Sequence, residues 1–188
     1  MKPKKAKFKP VLDRRRSGVL LHPTSLPSGS FGGDAFRFID FLVVAGFSVW
    51  QTLPLGPTHA DRSPYHCLSA HALNPMLMAT ERLVEWRWLS AEALGAHAQP
   101  DAALQAARAA LRQHADWSLF NAFCEAQSYW LNDYALYTVL RMEQANLPWW
   151  DWPSPLRDRE REALEAARSR LADQIERASF EQYVLDRQ

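Results

Sequence analysis

Residues 18–54, GVLLHPTSLPSGSFGGDAFRFIDFLVVAGFSVWQTLP, hold the reading that decides the fold. The apolar run 18–22, GVLLH, reads as a buried strand. A Pro/Ser/Gly loop follows it. Asp34 is placed to cap a helix whose apolar positions Phe38, Phe41, Leu42 and Ala45 follow helical spacing, and Gly46 is placed to end it. Residues 47–53, FSVWQTL, read as a second strand that stops at Pro54. Strand, helix and strand at this length make one βαβ unit with parallel strands. Such units carry their functional loops at the carboxyl ends of the strands, so loops 22–33 and 54–75 should share one face.

Beyond about residue 80 no further strand is convincing. Helical patterns cover roughly 90–98, 101–114, 117–128, 130–145 and 156–176. Residues 147–157, LPWWDWPSPLR, read as an irregular linker fixed by prolines and tryptophans. Two parallel strands cannot bury both faces alone. The expectation is that partner strands lie beyond residue 188 or that the chain is a fragment.

The chain has 188 residues, 47% of them hydrophobic and 23% charged, which reads as soluble and globular. No apolar run approaches the roughly 18 residues of a membrane span, and no signal peptide is visible. Cys67 and Cys124 are too few for a disulfide framework, so a cytoplasmic protein with reduced thiols is expected. The net charge of +1 hides an asymmetry: residues 1–16 carry a net +7 and the remainder a net −6. The basic segment could touch nucleic acid or acidic lipid, and reads more readily as a solvated leader. A nucleic-acid enzyme would continue that charge over its body, and this body is acidic, which argues against nucleic acid as a partner.

His22, His59, His66 and His71 cluster early, but no HxH or HxxxH spacing pairs two of them with a carboxylate, so no metal is expected. GxSxG, GKS/GKT and Gly-rich phosphate loops are absent, which excludes serine-hydrolase and kinase readings. Glycoside chemistry needs two carboxylates, about 5–5.5 Å apart when configuration is retained. No such pair can be built here: Asp34 and Asp40 have helical roles, Asp61 stands alone, and the later acids sit beside arginines. Residues 61–75, DRSPYHCLSAHALNP, offer hydroxyls, imidazoles, an amide and Tyr65 on a loop stiffened by Pro64. Aromatic rings beside hydrogen-bonding groups suit sugars. Composition alone slightly favours Tyr65 as a core filler.

The blocks SGVLLHPTSLP, FRFIDFLVVAGFSVWQTLPLGPT and SPYHCLSAHALNP resemble the N-terminal part of the 4-alpha-glucanotransferases, the amylomaltases or disproportionating enzymes. That family's pattern is close to SGILLHPTSLP, AYRFIDFL, AGQ-WWQ-LPLGPT and DSPYQ-FSAFAGNP. WLNDYALY, WDWPSPLRDR and the closing FEQYVLDRQ are similar too, so the resemblance covers nearly all of residues 16–188.

The resemblance implies an α/β fold: the first βαβ unit of a (β/α)8 TIM barrel, then a mainly helical insertion. The boundaries expected are a basic leader over 1–16, barrel units with sugar-contact loops over 17–79, and the helical subdomain over 80–188. It implies transfer of α-1,4-glucan segments between maltooligosaccharides by retaining double displacement, with no cofactor. The family's catalytic carboxylates come from later strands, so no catalytic residue is assigned here. Tyr65 is implied as a stacking platform and Ser63 as a hydroxyl partner, with His66 and Asn74 completing the substrate-binding set. His22 and Ser25 are implied as loop-bracing, a role that also fits Asn74. Where the family has Asp-Ser-Pro-Tyr-Gln, this chain reads Asp61-Arg62-Ser63-Pro64-Tyr65-His66: Arg62 reads as an insertion and His66 replaces the amide. The alternative is a non-catalytic, truncated or glucan-binding remnant of the same family.

Overall fold

The computed structural model describes residues 14–97 and 99–188. The basic leader expected over 1–16 therefore lies, but for its last three residues, outside the described residues. The strands are β1 (Gly18–Leu20) and β2 (Val49–Gln51), parallel, with Gly18 opposite Val49 and Leu20 opposite Gln51. Helix α1 (Gly33–Val44) joins them. The Leu21 N–H donates to Gln51 O at 3.0 Å, one step past β1. There the Trp50 indole donates to Leu21 O at 2.7 Å, and the edge of Phe38 meets the Trp50 ring at 5.0 Å.

Four expectations are corrected in this unit. The second strand, expected over 47–53 and ended by Pro54, spans only Val49–Gln51 and ends before Pro54. The first strand is neither five residues long nor buried: His22 leaves it, and Leu20 is 57% exposed. With two strands among the described residues, β1 and β2 are both edges. Asp34 is not the cap, because the helix starts one residue before it and Gly32 takes that position. Its carboxylate instead accepts the Ser28 N–H at 2.7 Å and pairs with Arg37. Those contacts, the Ser28 bond first, hold its carboxyl below the usual range. Phe41, expected on the packed face of α1, is exposed together with Ile39, Val43 and Val44.

Gly46 ends α1 as expected. Its φ is +79°, and the N–H groups of Gly46 and Phe47 reach back to Val43 O (3.1 Å) and Leu42 O (2.9 Å). This is the paired C-terminal bonding of a Schellman motif. A Cβ at Gly46 would meet nothing within 4 Å, so the position tests backbone strain alone. Gly46→Ala should cost about 1 kcal/mol in urea unfolding, with an unchanged slope.

The helical part comprises α2 (Glu81–Glu85), α3 (Ala91–Ala96), α4 (Pro100–Leu111), α5 (Trp117–Ala126), α6 (Ser128–Glu143), α7 (Ser154–Arg157), α8 (Arg161–Arg170) and α9 (Ala172–Arg187). The single helix expected over 156–176 is three pieces. The chain breaks at 158–160, where Arg159 takes φ +59°, and again at Leu171. Helix α9 is the organiser of both cores. Phe180, Tyr183 and Val184 pack with Leu83, Trp88 and Phe120, while Ala178 joins Leu136, Leu140 and Trp152. Arg108 of α4, 7% exposed, forks onto α9 through both carboxylate oxygens of Asp173 (2.9 and 3.1 Å) and Glu176 Oε1 (3.1 Å). Among the described residues no helix is long and apolar enough to cross a membrane.

Candidate functional site

The carboxyl ends of β1 and β2 lead into two loops that meet around a cleft of about 590 Å3. Each loop contributes a short 3-10 turn of the same construction. In the first, Pro23–Ser25, the His22 ring accepts the Thr24 N–H at 3.3 Å, and its Nδ1 lies 2.7 Å from Thr24 Oγ1. In the second, Pro75–Leu77, Asn74 Oδ1 accepts the Met76 N–H at 3.1 Å. A polar side chain before a proline satisfies a free N–H that the turn would otherwise leave open, and the proline needs none. Trp50 fixes the first turn to the strand end through Leu21. The Phe31 N–H donates to Leu77 O at 2.8 Å and the Asn74 N–H to Leu55 O at 2.8 Å, tying the second turn to both loops.

The cleft between the turns is lined by hydroxyls (Thr24, Ser25, Ser28, Thr58), His22, Arg62 and Asn74, over an apolar floor from Leu53 to Gly56 with Met76 and Leu77. No carboxylate is in this lining. Arg62 takes φ +56° in the turn whose N–H returns to His59 O at 3.0 Å, and this delivers the residue to the rim. Gly56 is required by close approach: a Cβ there would sit 2.8 Å from Ser69 O. The bridge between Thr58 and Cys67 and the Leu68 N–H to Pro57 O bond (2.7 Å) close the second loop on itself at that point.

The structure separates some of the residues grouped by sequence. His22, Ser25 and Asn74 share the cleft. Tyr65 lies beside it, on a 380 Å3 groove that shares Pro54, Leu55, Gly56 and Pro64 with the cleft wall. Tyr65 is 75% exposed, which overturns the core-filler reading. Ser63 stands between two cleft residues, Arg62 and Pro64, and its backbone N–H donates to Asp61 Oδ1 at 3.1 Å, but it is not itself in the lining. His66 faces elsewhere. Its ring stacks on His59 at 4.1 Å, with Nδ1 3.7 Å from Asp61 Oδ2, on a separate groove shared with Trp149 and Trp150. Thr58, Arg62 and Met76 were not singled out by sequence. Only the position of Arg62 beside Ser-Pro-Tyr marked it, and there it read as a disturbance of register.

Burial, with Glu176 nearby, pushes the Cys124 thiol up to about 11, so it is an inert thiol at neutral pH. Among the described residues no three metal-ligating side chains gather into a site.

A family model described as 4-alpha-glucanotransferase matches residues 20–188. A 4-alpha-glucanotransferase of Synechocystis is 40% identical over 199 residues, covering 95% of this chain and 39% of the relative. One from Thermus thermophilus is 39% identical, covering 93% of this chain and 38% of the relative. Among solved structures, the amylomaltase from Streptococcus agalactiae in complex with acarbose aligns with a TM-score of 0.82 at 28% identity, over 93% of this chain and 39% of that one. The chain thus spans about two fifths of the length of the relatives it matches.

Proposed function

Because the chain belongs to the 4-alpha-glucanotransferase family, as its N-terminal part, we propose that the protein moves α-1,4-glucan segments between maltooligosaccharides by retaining double displacement. The observation that carries this is the cleft at the strand ends: two proline-fixed turns facing each other, rimmed by hydroxyls, an imidazole, an amide and a guanidinium. Sugars present hydroxyl rims and apolar C–H faces. Such a wall matches the rims, and exposed Tyr65 on the adjoining groove matches a face. We further propose that β1, α1 and β2 are the first βαβ unit of a (β/α)8 barrel, which would cover the apolar side of α1 and both strand edges.

In this reading residues 17–79 bind and orient glucan and do not cleave it. Retaining transfer needs a nucleophilic carboxylate and an acid/base carboxyl, and the cleft lining offers neither. Both therefore come from outside this cleft wall. His22 and Asn74 brace the turns that present Thr24, Ser25 and Met76. Ser63 and His66 are secondary in this account, because one is withdrawn from the lining and the other faces His59.

Incubation with maltotriose followed by chromatography tests the proposal. Glucose together with glucans longer than maltotriose is the expected product set. Hydrolysis to maltose and glucose alone would contradict transfer. Binding without turnover would favour the non-catalytic reading, which the carboxylate-free lining also suits. Tyr65→Ala should weaken maltooligosaccharide affinity roughly three- to tenfold, measured by calorimetry, with thermal stability unchanged. Unchanged affinity would remove Tyr65 from the site.

A further inference from the structure

Segment 73–79, which carries the second turn of the cleft, is held from behind by two glutamines from the far end of the chain. Gln182 of α9 accepts the Leu73 N–H at Oε1 (2.8 Å) and donates from Nε2 to Leu73 O (3.0 Å). Gln188, just past α9, does the same at Ala79: Oε1 accepts the N–H at 3.0 Å and Nε2 donates to the carbonyl at 2.9 Å. Each amide takes both backbone groups of one residue, as the neighbouring strand of a sheet would. The two clasped residues are six apart, and so are the two glutamines. Between the clasps lie Asn74, Met76 and Leu77, all in the cleft lining. On its other side the segment is bonded to Leu55 and Phe31 of the two loops.

Gln182 is 2% exposed in a helix whose other buried side chains are mostly apolar. An aliphatic residue there would fill the same space but leave the Leu73 N–H and C=O without these partners. A buried amide is retained at a cost unless both its groups are used, and here both are used on a single residue of the cleft segment.

We propose that Gln182, seconded by Gln188, is a positioning residue for carbohydrate binding: it registers the wall carrying Asn74, Met76 and Leu77 against α9. The inference rests on the glucan-binding reading of the cleft. It makes α9 more than a core helix, since the same helix packs Phe180 and Tyr183 into the core and sets the cleft wall. Gln182→Met keeps length and bulk but abandons both Leu73 backbone groups. Gln182→Glu keeps the acceptor, and it restores the donor only when the carboxyl is protonated.

Hydrogen exchange followed by mass spectrometry, together with maltotriose affinity, tests this in the whole protein. In Gln182→Met, amides of 73–77 should exchange at least tenfold faster while those of α4 and α6 stay protected, and maltotriose affinity should fall roughly tenfold. Gln182→Glu, made in a Glu181→Gln background so that the neighbouring acid does not titrate, and expressed as a ratio to that background at each pH, should bind nearly normally at pH 5 and roughly tenfold more weakly at pH 8. Should Gln182→Met fail to fold, this pH profile decides alone. Unchanged exchange over 73–77 in Gln182→Met, faster exchange with unchanged affinity, or a flat ratio for Gln182→Glu would each overturn the inference. If the unsubstituted protein binds no maltotriose, the glucan-binding reading fails, and the exchange measurement still decides whether the clasp orders the segment.

Discussion

Phe180→Ala should lower the stability of the protein by about 3–5 kcal/mol, the largest effect of any single truncation considered. Phe180 is fully buried on α9. Its ring lies 6.1 Å from Trp88, 6.2 Å from Trp117, 5.5 Å from Phe120 and 6.1 Å from Tyr183. These rings come from three parts of the chain: the stretch after α2, helix α5 and α9 itself. Removing the phenyl group leaves a cavity whose walls are rings braced against one another, so collapse around it is poor. Phe180→Leu, which retains most of the volume, should cost less than about 2 kcal/mol. Guanidinium unfolding of both variants gives the comparison. Equal, small losses would mean that the aromatic cluster is not where the helical part derives its stability.

Glu181→Gln should stabilise the protein at pH 8 and leave it unchanged at pH 4. Burial pushes the Glu181 carboxyl up to about 7 from its ordinary 4.5, against an opposing pull from Arg177. Burial first, and then the charge on Glu181, also pushes the Tyr134 hydroxyl up to about 12. The folded state therefore favours the protonated acid. Its contribution is fully present below about 4.5 and is lost as pH rises through about 7, because the native protein must then hold a desolvated carboxylate. A shift of this size corresponds to about 3 kcal/mol, and partial exposure of the side chain reduces it to about 2 kcal/mol. Glutamine is neutral throughout. The difference in unfolding free energy between Glu181→Gln and the unsubstituted protein should therefore grow between pH 5 and 8. A constant difference, or one growing toward low pH, would contradict the assignment.

The order strand, helix, strand was legible because its signals are local: an apolar run, a helical stripe closed by Gly46 and a second apolar run, although both strands are shorter than their runs. The HPTS and SPY loops were legible by resemblance. What the sequence did not disclose depends on contacts far along the chain. Asp34 has the residue type of a cap, yet its partners are the Ser28 N–H in the loop and the Arg37 side chain, not the first free N–H of the helix. Tyr65 has the composition of a core residue, and only the fold of 54–68 around Gly56 puts it outside. His66 lies one residue from Tyr65 but turns to His59. Helix α9 escaped the helical pattern because two of its buried positions are Ser179 and Gln182. A polar residue on a core face breaks the periodicity, and its partner, Ile175 O for the serine or Leu73 for the glutamine, cannot be read from spacing.

In the proposed function the two proline-fixed turns and the loop between them form one glucan-binding wall. Hydrogen exchange of the whole protein with and without saturating maltotriose tests it most directly. Bound maltotriose should add protection in residues 22–29, 54–65 and 74–77 together, with the cores around α6 and α9 unchanged. Protection confined to other segments, leaving all three of these at their unliganded rates, would contradict it.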